Sequence, residues 1–249
     1  MESQVNRLVD KVWDRYLKTP TNQRVLIAIA GIPGSGKTTL AHAVVEGLNK
    51  KVGIPPRNQK DDGGLPVKDP PEVAIAVPMD GFHLFREQLA AMPDPEFAFN
   101  RRGAEFTFDG NAFVAVVEAL RQPINRDLPA TLLPAFDHAV KDPVADQIVV
   151  GPQQRIVVFE GNYVCLNKSP WVRASKPGVM DERWFVDVDF AVARKRLIKR
   201  HVAAGIAEDE EAAAKRADEN DLVNGREIVE NKVSSIDETI VSREDASWS

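Results

Sequence analysis

Apolar side chains fall at Val5, Leu8, Val9, Val12, Trp13 and Tyr16, three and four residues apart, with polar and charged residues between them. That spacing lines one stripe of a helix, so the first segment is expected to be an amphipathic helix packed on the body and closed by Pro20. The period then changes. Val25 to Ala30, VLIAIA, is unbroken apolar sequence, the pattern of a strand covered on both faces of a parallel sheet. Leu40, Val44, Val45 and Leu48 restore a helical stripe, with Gly53 as its stop. Strand, glycine-rich turn and helix in that order predict an α/β domain.

Further buried strands are expected at Val73 to Val77, Ile156 to Phe159 and Trp184 to Val188, with a short last one at Ile240 and Val241. Asp109 is placed to cap a helix carrying Phe113, Val116, Val117 and Leu120, and Asp189 to cap the one after the fourth strand. Helices are expected over Arg194 to Ala204 and Glu208 to Leu222, whereas Phe85 to Phe108 shows no clean period. Five prolines between Pro123 and Pro152 predict a loop, and the nearly apolar-free stretch Pro55 to Pro71 predicts a solvated insertion. The organisation expected is one domain over residues 1–249, with an insertion at 53–71 and a lid at about 190–225.

Composition narrows the partners. With 249 residues and 43% hydrophobic side chains the chain can bury a real core. A net charge of −5 argues against nucleic acid or an anionic membrane as a partner, so any cationic chemistry must be local. A lone cysteine, Cys165, excludes an internal disulfide and suits a reducing compartment. The charged amino terminus lacks the apolar centre of a signal peptide, and no stretch approaches about 20 apolar residues. A soluble cytoplasmic protein is expected, the nucleus not being excluded.

The strongest chemical signal follows the first strand. Gly31, Ile32, Pro33, Gly34, Ser35, Gly36, Lys37 and Thr38 fit the pattern G-x-x-x-x-G-K-[ST], with Thr39 next. Glycines let the backbone wrap a phosphate with its N–H groups inward, and the following helix adds the positive end of its dipole. Lys37 is expected to reach the β and γ oxygens of a nucleotide and the Thr38 hydroxyl to ligate Mg²⁺. No NKxD-type guanine reader accompanies the loop.

Ligands of an open parallel sheet sit beyond the carboxyl ends of its strands, and two strands here end in an acid before glycine: Asp80-Gly81 and Glu160-Gly161. Asp80 is the candidate base for an acceptor hydroxyl, and Glu160 the candidate for the metal shell or acceptor contacts. In an acidic chain, AVARKRLIKRHVAAG concentrates cations; Arg196 and Arg200, four apart, share one helical face as candidate lid residues over donor phosphates. Arg101 and Arg102 either meet an anionic acceptor or pair with local acids. Phe82, His83, Phe106 and Phe108 are candidate acceptor-pocket residues.

With GIPGSGKT, VPMDGFH, RRGAEFTFD, PAFDHAVKDP, VVFEGNY and RKRLIKRH in this order, the chain resembles the phosphoribulokinase, uridine kinase and bacterial-type pantothenate kinase superfamily from about Val25 to about Asn231. Within it the chain is most similar to a nucleoside- or sugar-kinase-like branch with fungal members, which shares MDGFH, RRG, FDH and ADENDxxNG. The resemblance implies a P-loop NTPase fold with a five-stranded parallel sheet flanked by helices and a helical lid. It also implies ATP as donor, Mg²⁺, and transfer to a hydroxyl of a nucleoside-, sugar- or pantothenate-like metabolite. Asp80 would be the base, Lys37 and Thr38 would serve phosphate and metal, and Arg196 or Arg200 would belong to the lid. Uridine kinases carry Asp-x-Phe-Tyr where this chain has Asp80-Gly81-Phe82-His83, so their ribose and base contacts do not carry over. The partner expected is a small-molecule acceptor, and a homodimer is compatible. A second class, a nucleotide-dependent switch, shares the loop and differs in lacking an acceptor.

Overall fold

The structure is a computed structural model and describes residues 1–52, 72–125, 127 and 129–243. The expected insertion at 53–71 and the helix stop at Gly53 lie outside those residues.

The amphipathic stripe forms α1 (Glu2–Lys18), burying Val5, Leu8, Val9 and Val12 and ending before an extended Thr19. All seven residues of β1 (Val25–Gly31) are buried, and α2 (Lys37–Lys51) follows the glycine-rich turn. Next come β2 (Ala74–Pro78) and a 3-10 turn, Met79–Phe82. The stretch without a clean period holds two short helices, α3 (Arg86–Ala90) and α4 (Pro95–Asn100), the second capped by Asp94 with Pro95 in its first turn. Asp109 caps α5 (Gly110–Arg121) by accepting from Ala112 N–H.

From Thr131 onward the proline-rich stretch is not the expected loop. It forms a two-stranded antiparallel hairpin, β3 (Thr131–Asp137) and β4 (Asp142–Val150), with an irregular register between Leu133 and Ala135. Pro134 sits at that irregularity, where a missing N–H breaks no ladder hydrogen bond. Prolines thus mark the edges and bulge of a ribbon outside the main sheet.

After the hairpin come β5 (Ile156–Gly161), β6 (Glu182–Asp187), α6 (Phe190–Ala203), α7 (Glu210–Arg216), a π-helical turn (Ala217–Asp221), α8 (Leu222–Glu230) and β7 (Glu238–Val241). Asp189 caps α6, accepting from Ala191 and Val192 N–H. The five-stranded sheet has the order β2-β5-β1-β6-β7, parallel throughout. Alternation sends successive side chains to opposite faces. Ile27, Ile29, Val158 and Trp184 therefore pack with α1 and α2, while Leu26, Ala28, Phe159 and Phe185 join the core containing Phe113 and Trp171. With both faces covered, the ligand-accessible backbone is at the carboxyl ends of the strands.

Candidate active site

Gly34 and Gly36 take positive φ, 79° and 87°, which turns the chain sharply between β1 and α2. Gly31 has no room for a side chain: a Cβ there would lie 2.6 Å from Ser35 Oγ and 3.0 Å from the Val186 carbonyl. Gly36 stands at the N-cap of α2 without a side-chain cap, leaving the first N–H groups of the helix for a ligand. Ser35 Oγ is buried with no partner among the described residues.

Strand register brings the acids to this loop. Glu160 lies beside Ile29 of β1 on one side and Pro78 of β2 on the other, and Asp80 follows two residues after Pro78. Thr38 Oγ1 donates to Glu160 Oε2 at 3.1 Å. Glu160 is only 6% exposed, and desolvation pushes its carboxyl up to about 7; Asp80 adds to the rise while Lys37 and Thr38 oppose it. Lys37 keeps part of its side chain at the surface, yet the atoms around it desolvate the ammonium and lower its pKa. Glu160, Asp80 and Asp221 work against that lowering, and Arg200 reinforces it. The sequence-derived group Lys37, Thr38, Asp80, Glu160 and Arg200 therefore forms one electrostatic cluster at the loop. Asp80 itself is exposed.

The hairpin forms the next wall. A Cβ on Gly81 would come within 2.2 Å of the Pro134 carbonyl, so β3 crosses directly over the Asp80-Gly81 turn. His83 Nδ1 lies 2.8 Å from the Asp80 carbonyl; a carbonyl only accepts, so Nδ1 carries the hydrogen and Nε2 keeps its lone pair. The ring packs against Phe108 and Phe136, with centroids 4.0 and 4.7 Å away. Desolvation lowers the His83 pKa, Arg102 and His138 adding to the effect. Arg102 is tied to the hairpin, donating to the Lys141 carbonyl and to Asp142 Oδ1 at 2.7 and 2.8 Å. Phe82 and Phe108 are core residues, whereas Phe106 stacks on Phe97 at the surface.

Arg196 and Arg200 divide. Arg196 Nη1 donates to the carbonyls of Gly34 (3.2 Å) and Ser35 (3.4 Å) and to Ser242 Oγ (2.8 Å). In a trans peptide C=O and N–H point opposite ways, so an arginine on the Ser35 carbonyl leaves Gly36 N–H aimed away from it. Arg196 thus braces the loop from its carbonyl side. Arg200 is exposed and makes no hydrogen bond or ion pair among the described residues.

Sequence reasoning missed the role of the π-helical turn. Asn220 Nδ2 donates to the Arg102 carbonyl, Arg101 donates to the Glu219 carbonyl and to Asn224 Oδ1, and a Cβ on Gly225 would lie 3.4 Å from Ile32 of the loop. Asp221, in the same turn, acts on Lys37. The polar cluster ADENDLVNG in an otherwise helical pattern was the available signal.

A parallel sheet whose central strand enters such a loop, with acids at the end of the neighbouring strands, defines a P-loop kinase fold. No family model matches the chain. It is 50% identical over 155 residues to "ATP-dependent kinase-like protein notR'" of Aspergillus versicolor, covering 62% of this chain and 89% of that one. It is 38% identical over 226 residues to "Putative uridine kinase C227.14" of Schizosaccharomyces pombe, covering 90% and 87%. Among solved structures, a "putative fructose transport system kinase" from Silicibacter sp. TM1040 superposes with a TM-score of 0.73 at 30% identity, over 94% of this chain and 98% of that one. The YFH7 protein of Saccharomyces cerevisiae, at 23% identity and a TM-score of 0.78 over 97% and 99%, shares the fold. The chain belongs to this family of uridine-kinase-like P-loop kinases.

Proposed function

We propose that this protein transfers the γ-phosphoryl group of ATP to a hydroxyl of a nucleoside-, sugar- or pantothenate-like small molecule. The observation that carries the reading is the convergence of Asp80 and Glu160 on Lys37 at the mouth of the phosphate loop. Asp80 accepts the proton of the acceptor hydroxyl, whose oxygen forms the new bond to the γ-phosphorus as the bond to the β–γ bridging oxygen breaks and ADP leaves. Lys37 and the N–H groups at the start of α2 hold the donor phosphates, and Arg200 supplies a further free cation.

The donor set also fits a magnesium ion. A hydroxyl and a carboxylate, Thr38 and Glu160, already face each other at 3.1 Å, and such hard oxygen ligands, completed by phosphate oxygens and water, suit that cation. When bound it would neutralise charge on the phosphates. His83, whose lowered pKa favours the neutral ring with Nε2 unprotonated, stands beside Asp80 to accept a hydrogen bond from the acceptor.

The test is incubation with Mg·ATP and a panel of nucleosides, pantothenate, nicotinamide riboside and pentoses, following ADP release and product mass. Acceptor-dependent ADP with a product heavier by one phosphate supports the reading. ADP release indifferent to every acceptor, with nucleotide-dependent capture of a partner protein, would favour a switch instead.

A further inference from the structure

A groove of about 790 Å³ opens at the end of the sheet opposite the phosphate loop, between α1, the start of β1 and the end of α5. That volume is within the range of small-molecule sites. The seven residues of β1 separate the groove from the loop, about 20 Å at the usual rise of a strand, so the two places are distinct.

Five cations line the groove, Lys11, Arg15, Lys18, Arg24 and Arg121, against three acids, Asp14, Asp181 and Glu182. In a chain of net charge −5 that is a local excess of two positive charges. The two acids at the start of β6 are already engaged. Asp181 Oδ2 accepts from Leu26 N–H and Arg121 Nη1, both at 2.8 Å, while Glu182 accepts from Lys11, Arg15 and the Trp184 indole. Lys18 and Arg24 have no carboxylate partner among the described residues.

Helix ends explain part of this. A cation in the last turn answers the negative end of the helix dipole, which accounts for Lys18 of α1 and Arg121 of α5. It does not account for Arg24, which precedes β1 and is 8% exposed. The Arg24 guanidinium donates to three carbonyls, those of Gln154 (3.1 Å), Gly151 (3.3 Å) and Leu120 (3.4 Å). Such dipoles satisfy hydrogens without cancelling the charge, and two of the five N–H groups are left for a ligand. Arg121 also donates to the Arg24 carbonyl, which brings the two residues together. Desolvation lowers the Arg24 pKa, and the charge of Arg121 adds to that effect.

We propose that this groove is a second ligand site, for a small polyanion carrying at least two carboxylate or phosphate groups, held by Arg24 and Arg121 inside and by Lys18 at the rim. Guanidinium groups pair with either kind of anion, and two or more negative charges match the excess of the lining. The inference does not depend on phosphoryl transfer or on the acceptor.

Calorimetric titration with citrate and with pyrophosphate, without magnesium, tests it. Binding with a Kd below about 1 mM is expected for at least one of them, weakening as salt is added. Lys18→Glu should weaken it about tenfold, whereas Lys215→Glu, the same charge change at an exposed position on α7, should alter it less than about threefold. Lys37→Ala should leave it unaltered. Tighter citrate would assign carboxylates to the site, and tighter pyrophosphate would assign phosphates. The proposal is overturned if neither anion binds, if Lys215→Glu weakens binding as much as Lys18→Glu, or if binding is indifferent to Lys18→Glu and lost with Lys37→Ala, which would place the anion at the phosphate loop. Lys18 is exposed at the end of α1 and Arg24 stays in place, so the decisive variant keeps the fold.

Discussion

Glu160 sits where the proposed reaction asks for a carboxylate and folding does not. Its carboxyl is raised from an ordinary 4.5 to about 7 because burial outweighs the help of Lys37 and the Thr38 hydroxyl. Well below pH 4.5 the group is neutral in folded and unfolded chains alike. As pH rises, the unfolded chain ionises first, while the folded site resists until about 7, so stability present at low pH is progressively lost over that window. At about 1.4 kcal/mol per pKa unit, the rise is worth about 3 kcal/mol once the group is fully ionised, with most of it, about 2.5 kcal/mol, appearing between pH 5 and 8. Glu160→Gln cannot ionise and escapes that loss. Its packing cost, including any unsatisfied amide hydrogen, is the same at every pH and cancels in the comparison. Denaturant unfolding of both proteins without nucleotide, at pH 5 and pH 8, should show the glutamine variant gaining about 2.5 kcal/mol relative to the parent across that interval. The same variant should lose magnesium-dependent nucleotide affinity. A stability difference between the two proteins that does not change with pH would refute the argument that burial of this acid is opposed by nothing but its neighbours at the loop.

Asp80→Asn should lower kcat by about 10²- to 10⁴-fold while leaving nucleotide affinity within about threefold, as steady-state kinetics and calorimetry will show. Gly81→Ala places a Cβ 2.2 Å from the Pro134 carbonyl and should cost at least about 1–3 kcal/mol, read as a lowered thermal midpoint, because backbone rather than a flexible side chain must move. Cys165 is buried and its thiol is pushed up to about 12, so a chromogenic disulfide reagent at pH 8 should leave it unmodified until the protein is denatured. Fast, stoichiometric reaction of the native protein would contradict that environment.

Which features were legible beforehand follows from the range of the forces involved. Periodicity is a local property of the backbone, so α1, the buried strands β1 and β5, and the capped helices α5 and α6 could be read from spacing and from Asp109 and Asp189 alone. The phosphate loop is equally local, because glycine φ values and the helix start lie within a few residues of one another. Strand-end acids became candidates because parallel sheets open at their carboxyl ends, a rule that needs no coordinates. The hairpin was hidden since prolines at a bulge and at strand edges look like prolines in a loop until the partner strand is known.

Side-chain commitments could not be read at all. Arg196 and Arg200 stand four residues apart on one helix, and only the fold decides that the first spends its guanidinium on loop carbonyls some 160 positions earlier while the second stays free. Arg102 offers the same lesson, its charge absorbed by Asp142 across the hairpin. The chain by itself thus determined the elements, the cradle for phosphate and the acids near it, all consequences of short-range sterics and alternation. The closed form decided which cations remain for a ligand, because hydrogen-bond partners are chosen by distances between segments remote in the chain, and those exist only once the sheet and its helices have packed.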